Sequence, residues 1–434
     1  MVDAIRLKAL TFFGADPTHF DLVFVANATA AVKLVADAFR DMAEQSRSGG
    51  FWYGYHREAH TSLVGVRELA GEEGRGGARC FGGDGEVEAW LRGEGEEEDD
   101  DGEEEGPRRG GGLGLFAYPA QSNLTGRRLP LDWPRRVRYS SSGGRRRGGG
   151  LKNTYTLVDA AALAMTSPLD HVFRDADAAP DFVCVSFYKI FGFPDLGGLV
   201  VRKESGHVLT LRKYFGGGTV SLVSTVGSRP WHMSKGLPSE NVGDGSGSGS
   251  GVASSSPRTS SGTTTAGSGA STNPTTVGGS SSEGHEGGHV GGGGGGGLHE
   301  GLEDGTLPFH NILALGEAMD VHRELYGSME NISRHTTQLS QRLFEGVSSL
   351  RYANGQPLVK VYYGGGQDDD ANHNDEGKGR RSKRLPAPPP PYGDANRQGP
   401  TLAFNLFRAD GTYESYAAVE KTANDRGFYV RSGG

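Results

Sequence analysis

Several short stretches of the chain carry residue types that could do chemistry together. In SFYKIFGFPDLGGLV, Lys189 follows an apolar run and precedes a Gly/Pro turn. A lysine there stands at the mouth of a sheet, where open α/β folds bind ligands. Partial desolvation would lower its pKa and suit it to Schiff-base chemistry, and a surface lysine at a strand end is the alternative. In TYTLVDAAA, Asp159 ends another buried-looking run. A buried carboxylate needs a cationic partner, and the protonated ring nitrogen of pyridoxal phosphate is one. In FVANATAAVKLVADAF a strand gives way to a helix near Thr29. The first amides of that helix lack partners and have the positive end of the dipole behind them, which makes a phosphate seat with the Thr29 hydroxyl as an extra donor. Asn27 and Thr29 could equally serve only as helix caps. His60, in REAHTSLVG, follows the aromatic cluster FWYGYH. Its imidazole could stack on a ring or move protons, or simply start a helix. Asn123, in PAQSNLTG, could bond a ring hydroxyl or form an ordinary turn.

The elements that must position these residues alternate. A strand from Leu22 to Val25 leads into a helix with apolar residues at helical spacing, and LGLFAYP, TYTLVD and DFVCVSF read as further strands. The pattern predicts an α/β fold with a mostly parallel central sheet and helices on both faces. Beyond residue 301, LPFHNILALGEAMDVHRELYG predicts helix, and the stretch from Thr401 to Gly434 reads as strand, helix, strand, a smaller α+β part. Acidic, Gly-rich or Pro-rich tracts at 93–112, 139–150 and 364–398 are expected to be disordered insertions. The Gly/Ser/Thr tract 236–300 is expected to be a flexible linker. The expected organisation is a large cofactor-binding domain over 1–235, the linker, and a remainder over 301–434 that completes the large domain and begins a small one.

Those tracts explain the composition. Gly accounts for 72 of 434 residues and hydrophobic residues for only 35%, with no Gly-X-Y repeat. A net charge of −8 argues against a general nucleic-acid binder. Cys80 and Cys184 are the only cysteines, which excludes a disulfide framework and favours a reducing compartment. Cys80 is expected in a Gly-rich loop and Cys184 as packing inside a strand. No apolar run is long enough for a membrane span, and the N-terminus reads as an amphipathic helix rather than a signal peptide. A cytoplasmic enzyme is therefore expected. His285, His289 and His299 are too loosely spaced to assign a metal site, and RRSKR reads as a solvated loop.

The order of these signals resembles a known family. FFGADPTHFDLVFVANATAAVKLVADAF, HTSLVGVRE, LFAYPAQSNLTG, LVDAAA, SFYKIFGFPDLGGLVVRK, YFGGGTVS, LEDGTLPFHNI and GFYVRSGG together resemble the aminotransferase-like domain of the molybdenum cofactor sulfurase family. That family is related to the cysteine desulfurases of pyridoxal-phosphate fold type I. The resemblance implies that Lys189 binds pyridoxal 5'-phosphate covalently and moves the Cα proton of the substrate. It implies that Asp159 keeps the pyridine nitrogen protonated, His60 stacks on the ring and assists acid/base steps, and Asn123 bonds the ring oxygen. Ala28, Thr29 and Ser186 would hold the phosphate. Relatives are homodimers that complete this site with a Gly-Thr from the other subunit, and LEDGT points to Thr306. The implied reaction takes sulfur from L-cysteine, leaves alanine, and passes the sulfur through a persulfide to the molybdenum cofactor.

Two positions depart from the cysteine desulfurases, Tyr188 where His is common and Ala162 where Gln is common. In the family a sulfur-accepting cysteine follows GFYVRSGG, whereas this chain ends at Gly434. The expectation is a chain truncated at both ends that binds the cofactor without completing sulfur transfer. Another pyridoxal-phosphate lyase or aminotransferase of the same fold, or an inactive scaffold, are the alternatives.

Overall fold

Ile5, Ala9, Leu10 and Phe13 fall on one face of the first helix, α1 (Val2–Phe13), and bury it. The computed structural model describes residues 1–46, 49–71, 76–94, 112–139, 151, 153–226, 231–235, 297–363 and 391–432. The expected insertions 93–112 and 139–150, the linker 236–300 and most of 364–398 lie largely outside these residues, as do His285, His289 and RRSKR. Within the last tract, Tyr392 and Gln398 are described and buried.

Seven strands follow α1: β1 (Phe20–Val25), β2 (Trp52–His56), β3 (Gly77–Phe81), β4 (Gly114–Pro119), β5 (Thr154–Asp159), β6 (Phe182–Ser186) and β7 (Gly197–Arg202). They form one sheet in the order β1-β7-β6-β5-β4-β2-β3. From β3 to β6 neighbours are parallel, while β7 is antiparallel to both β6 and β1. The link between Phe187 and Leu196 is too short for the crossover a parallel pair requires, so β7 turns back. Being antiparallel to β7, β1 points the same way as β6. The mostly parallel α/β sheet is therefore present.

Helices α2 (Ala28–Gln45), α3 (Thr61–Val64), α4 (Asp84–Arg92), α5 (Trp133–Tyr139), α6 (Asp170–Phe173), α7 (Phe187–Phe191) and α8 (His207–Thr210) lie between or after the strands. Alternation along the strands sends side chains to two cores, so both faces are covered. Val23, Ala117, Leu157, Cys184 and Leu199 meet Val35 and Phe39 of α2. Phe24, Tyr118, Val158, Val183 and Val200 join Leu10 and Phe13 of α1 on the other face.

A hairpin, β8 (Val220–Val223) with β9 (His232–Ser234), follows the sheet. Then α9 (Phe309–Tyr326) packs on α1, where Lys8 Nζ donates to Gly316 O and Asp320 Oδ2, each at 2.6 Å. The smaller α+β part holds α10 (Met329–Ser349), β10 (Val359–Tyr362), β11 (Ala403–Leu406) and α11 (Tyr416–Asn424), with β10 and β11 antiparallel. The final strand expected at GFYV is not formed. Phe428 and Tyr429 are exposed and pair with no strand among the described residues. Among the described residues no helix is long and apolar enough to cross a membrane.

Candidate functional site

Strand direction gathers the candidate residues at one edge of the sheet. β4, β5 and β6 end there at Pro119, Asp159 and Ser186, and β1 ends beside them at Val25. Val25 pairs with Gly197, which pairs in turn with Ser186. A Cβ on Gly197 would lie 2.4 Å from Asn27 Cα, so only glycine lets the start of α2 close onto the end of β6.

The first turn of α2 is partly satisfied from within. Asn27 Oδ1 accepts from the Ala30 N–H at 3.0 Å, which caps the helix. Ser186 Oγ accepts from the Ala28 N–H at 3.1 Å. The expectation that the Ala28 amide stands open is therefore corrected, because the Gly197 contact brings the Ser186 hydroxyl onto it. The amide and the exposed hydroxyl of Thr29 have no partner among the described residues.

Asp159 is buried, at 7% exposure, and Asp159 Oδ1 accepts from the Ala161 N–H at 2.9 Å. Its neighbour in register on the adjacent strand is Cys184, which is fully buried. Burial pushes the Cys184 thiol well above the usual cysteine range, and the Asp159 charge pushes it further. Cys184 is thus packed and unreactive, as expected of a strand-interior cysteine. No cationic side chain lies within ion-pairing distance of Asp159 among the described residues, although one would offset its burial.

Lys189 sits on α7, just past Ser186. The buried residues of α7 are Phe187 and Ile190, so Lys189 faces outward and is exposed. The partial desolvation expected for it is absent. Among the described residues its ammonium has no hydrogen-bond or ion-pair partner.

His60 caps α3, four residues beyond β2. Its Nδ1 lies 2.8 Å from Ser62 Oγ and accepts from the Ser62 N–H at 3.2 Å, which is the helix-start role held open for it. Asn123 is exposed in the turn between Gln121 and Arg128, which pair antiparallel. Both follow strands that end at this edge, but no hydrogen bond joins either one to Asp159 or Lys189 among the described residues. Thr306 is exposed on a loop tied down by its neighbours. Glu303 accepts from Arg6 Nη1 at 2.6 Å and Nη2 at 3.0 Å, and from the Phe24 N–H at 2.8 Å. Asp304 takes both Nη atoms of Arg212, at 2.7 and 2.8 Å.

Sequence reasoning missed Gln121, Glu303 and Arg6. Gln121 Nε2 donates to Ala162 O at 3.4 Å and supports the loop after Asp159. Its one local signal is the polar run QSN at a strand end. The Arg6–Glu303 pair joins residues 297 positions apart and has no local signal. Cys80, expected in a loop, is on β3 with its side chain exposed. The edge strand GARCF is too polar to read as one. His299 pairs with Asp21, Nδ1 to Oδ2 at 2.9 Å, and no cluster of three or more metal-ligating side chains occurs among the described residues.

No protein-family model matches the chain. It is 44% identical over 432 residues to a molybdenum cofactor sulfurase from Aspergillus niger, covering 100% of this chain and 39% of that protein. A molybdenum cofactor sulfurase from Botryotinia fuckeliana is 42% identical over 433 residues, again across 100% of this chain and 40% of the relative. Among solved structures, an apo cysteine desulfurase from Thermococcus onnurineus is similar at TM-score 0.54 and 14% identity, covering 100% of this chain and 73% of that one. A cystine C–S lyase, solved with its product cysteine persulfide, is similar at TM-score 0.53 and 14% identity over 99% of this chain and 78% of that one. Along its whole length, then, the chain is homologous to the molybdenum cofactor sulfurases, spanning about 39% of their length, and it has the fold of the cysteine desulfurases.

Proposed function

We propose that this chain is the sulfur-mobilising part of a molybdenum cofactor sulfurase-type enzyme. With pyridoxal phosphate, and with a thiolate from outside residues 1–434 taking the sulfur as a persulfide, it would convert L-cysteine to alanine, the persulfide sulfur then passing to the molybdenum cofactor. One observation carries the reading: among the described residues the buried Asp159 carboxylate has no ion-pair partner, while the next strand leads to an amine at Lys189 that has none either. A phosphate bearing a basic ring nitrogen and an aldehyde fits what the residues lack, since the Thr29 amide and hydroxyl at the start of α2 have no partner among the described residues.

In this reading Thr29 and Ser186 hold the phosphate, with the α2 dipole behind them. Asp159 holds a proton on the ring nitrogen, fixed in place by the Ala161 N–H. The bound cofactor would supply an electron sink for charge developing at the substrate Cα. Lys189 anchors the cofactor and afterwards moves the proton at that carbon, a role its exposure leaves it free to play. His60, freed from Ser62, serves as a proton carrier, and Asn123 supplies an amide to the ring oxygen. Thr306 completes the phosphate site of a second copy in a homodimer. Cys184 is excluded as the sulfur acceptor by its burial and its raised pKa.

Titration with pyridoxal phosphate tests the reading. The chain should turn yellow and be trapped by borohydride, and Lys189→Ala should do neither. Equal behaviour of the two removes the assignment. The likeness to a C–S lyase favours a second reading, which product analysis separates. With an external thiol present to take the sulfur as a persulfide, L-cysteine should give alanine, whereas pyruvate would mark a lyase.

A further inference from the structure

A cleft of about 800 Å³, within the range of small-molecule sites, opens on the other face of the sheet from the Asp159 carboxylate. Its apolar wall, Ala120, Leu129 and Leu163, belongs to the α1-side core, whereas Cys184, which meets Asp159, belongs to the α2-side core. The opposite wall is α10 with the loop at 393–396. Two guanidinium groups line it, from Arg128 and Arg334.

Neither arginine has an ion-pair partner among the described residues. Arg128 is half-buried, and its Nε donates to Gln121 Oε1 at 3.3 Å. Burial pulls its pKa down to about 10, opposed only by the more distant Asp394. Arg334 reaches only Asn331 Oδ1, at 3.5 Å. His171 lines the same space, its pKa lowered by burial against the pull of Asp170, with Arg128 and Arg174 adding to the lowering. Among the described residues Glu330 is the only carboxylate on the lining. A half-buried cation without an ion-pair partner is costly, and a planar guanidinium fork suits a carboxylate or phosphate.

We infer that this cleft binds a small organic anion, a phosphate ester or a carboxylate, gripped by Arg128 and Arg334. Thr337 and Gln338, on the same helix as Arg334, supply hydrogen bonds to the rest of the ligand. This does not depend on the cofactor chemistry at Lys189.

Isothermal titration of the full chain with inorganic pyrophosphate, and separately with citrate, tests the inference. Saturable binding of at least one is expected, and the anion that binds distinguishes phosphate from carboxylate. Arg128→Gln and Arg334→Gln should each weaken it about tenfold or more. Arg334 is exposed on α10, so its replacement leaves the fold readable even if Arg128→Gln unfolds the chain. Thr29→Ala, at the α2 phosphate seat, should leave this binding intact. No saturable binding of either anion, or binding lost in Thr29→Ala but kept in the arginine variants, would overturn the inference.

Discussion

Ser186 accepts a hydrogen bond from the Ala28 amide, and its own proton remains available to a ligand. It therefore orders the first turn of α2 and offers a donor to whatever that turn holds. Ser186→Ala should weaken pyridoxal phosphate binding by roughly threefold to tenfold, the loss expected for one hydrogen bond, as read by absorbance titration. Unchanged affinity would remove Ser186 from the phosphate site. At this scale the sequence was informative where a residue ends an apolar run. Asp159, Ser186, Lys189 and Thr29 are all placed by such ends. It was uninformative where a contact joins distant segments. That the Ala28 amide is already taken depends on β1 and β6 flanking β7, which no local pattern encodes.

The close contact of β7 with the start of α2 is the element on which the site's geometry turns. Gly197→Ala would drive a methyl into the Asn27 backbone, with no flexible side chain to yield. It should destabilise the chain by about 1–3 kcal/mol or more, as overpacking does, measured by urea denaturation. It should also lower cofactor affinity more than Ser186→Ala, because it moves the whole turn. β1, β4, β5, β6 and α2 were readable because hydrophobic periodicity is a local property, whereas β2, β3 and β7 were not read as strands. The antiparallel course of β7 was not read, although the short link that imposes it is present in the sequence. The missing final strand at GFYV shows the converse. Its residues have strand-like types, but a strand needs a paired neighbour, and GFYV pairs with none among the described residues.

Over the whole molecule, acid should act through carboxylates held below their ordinary range. Asp21 is buried, which alone would raise its pKa, but hydrogen bonds and the charge of His299 hold it low. A carboxyl whose folded pKa is depressed stabilises the fold above its unfolded value, near 3.9, and that contribution fades as pH falls through the lower folded value. Asp21→Asn should flatten the dependence of the melting temperature on pH below about 5, seen by calorimetry. A slope unchanged from the parent would show that the pairing with His299 adds nothing.

The buried Arg6–Glu303 pair and the Lys8–Asp320 contact both originate on α1, and both reach residues beyond position 300. The opening helix is thus clasped to segments that the chain produces only after the long glycine-rich tract. A ribosome would release α1 well before its partners exist, leaving the Arg6 charge to wait for Glu303. Severing the backbone inside that tract would leave the two pieces stitched together, so an apparently intact particle in solution could already be two polypeptides.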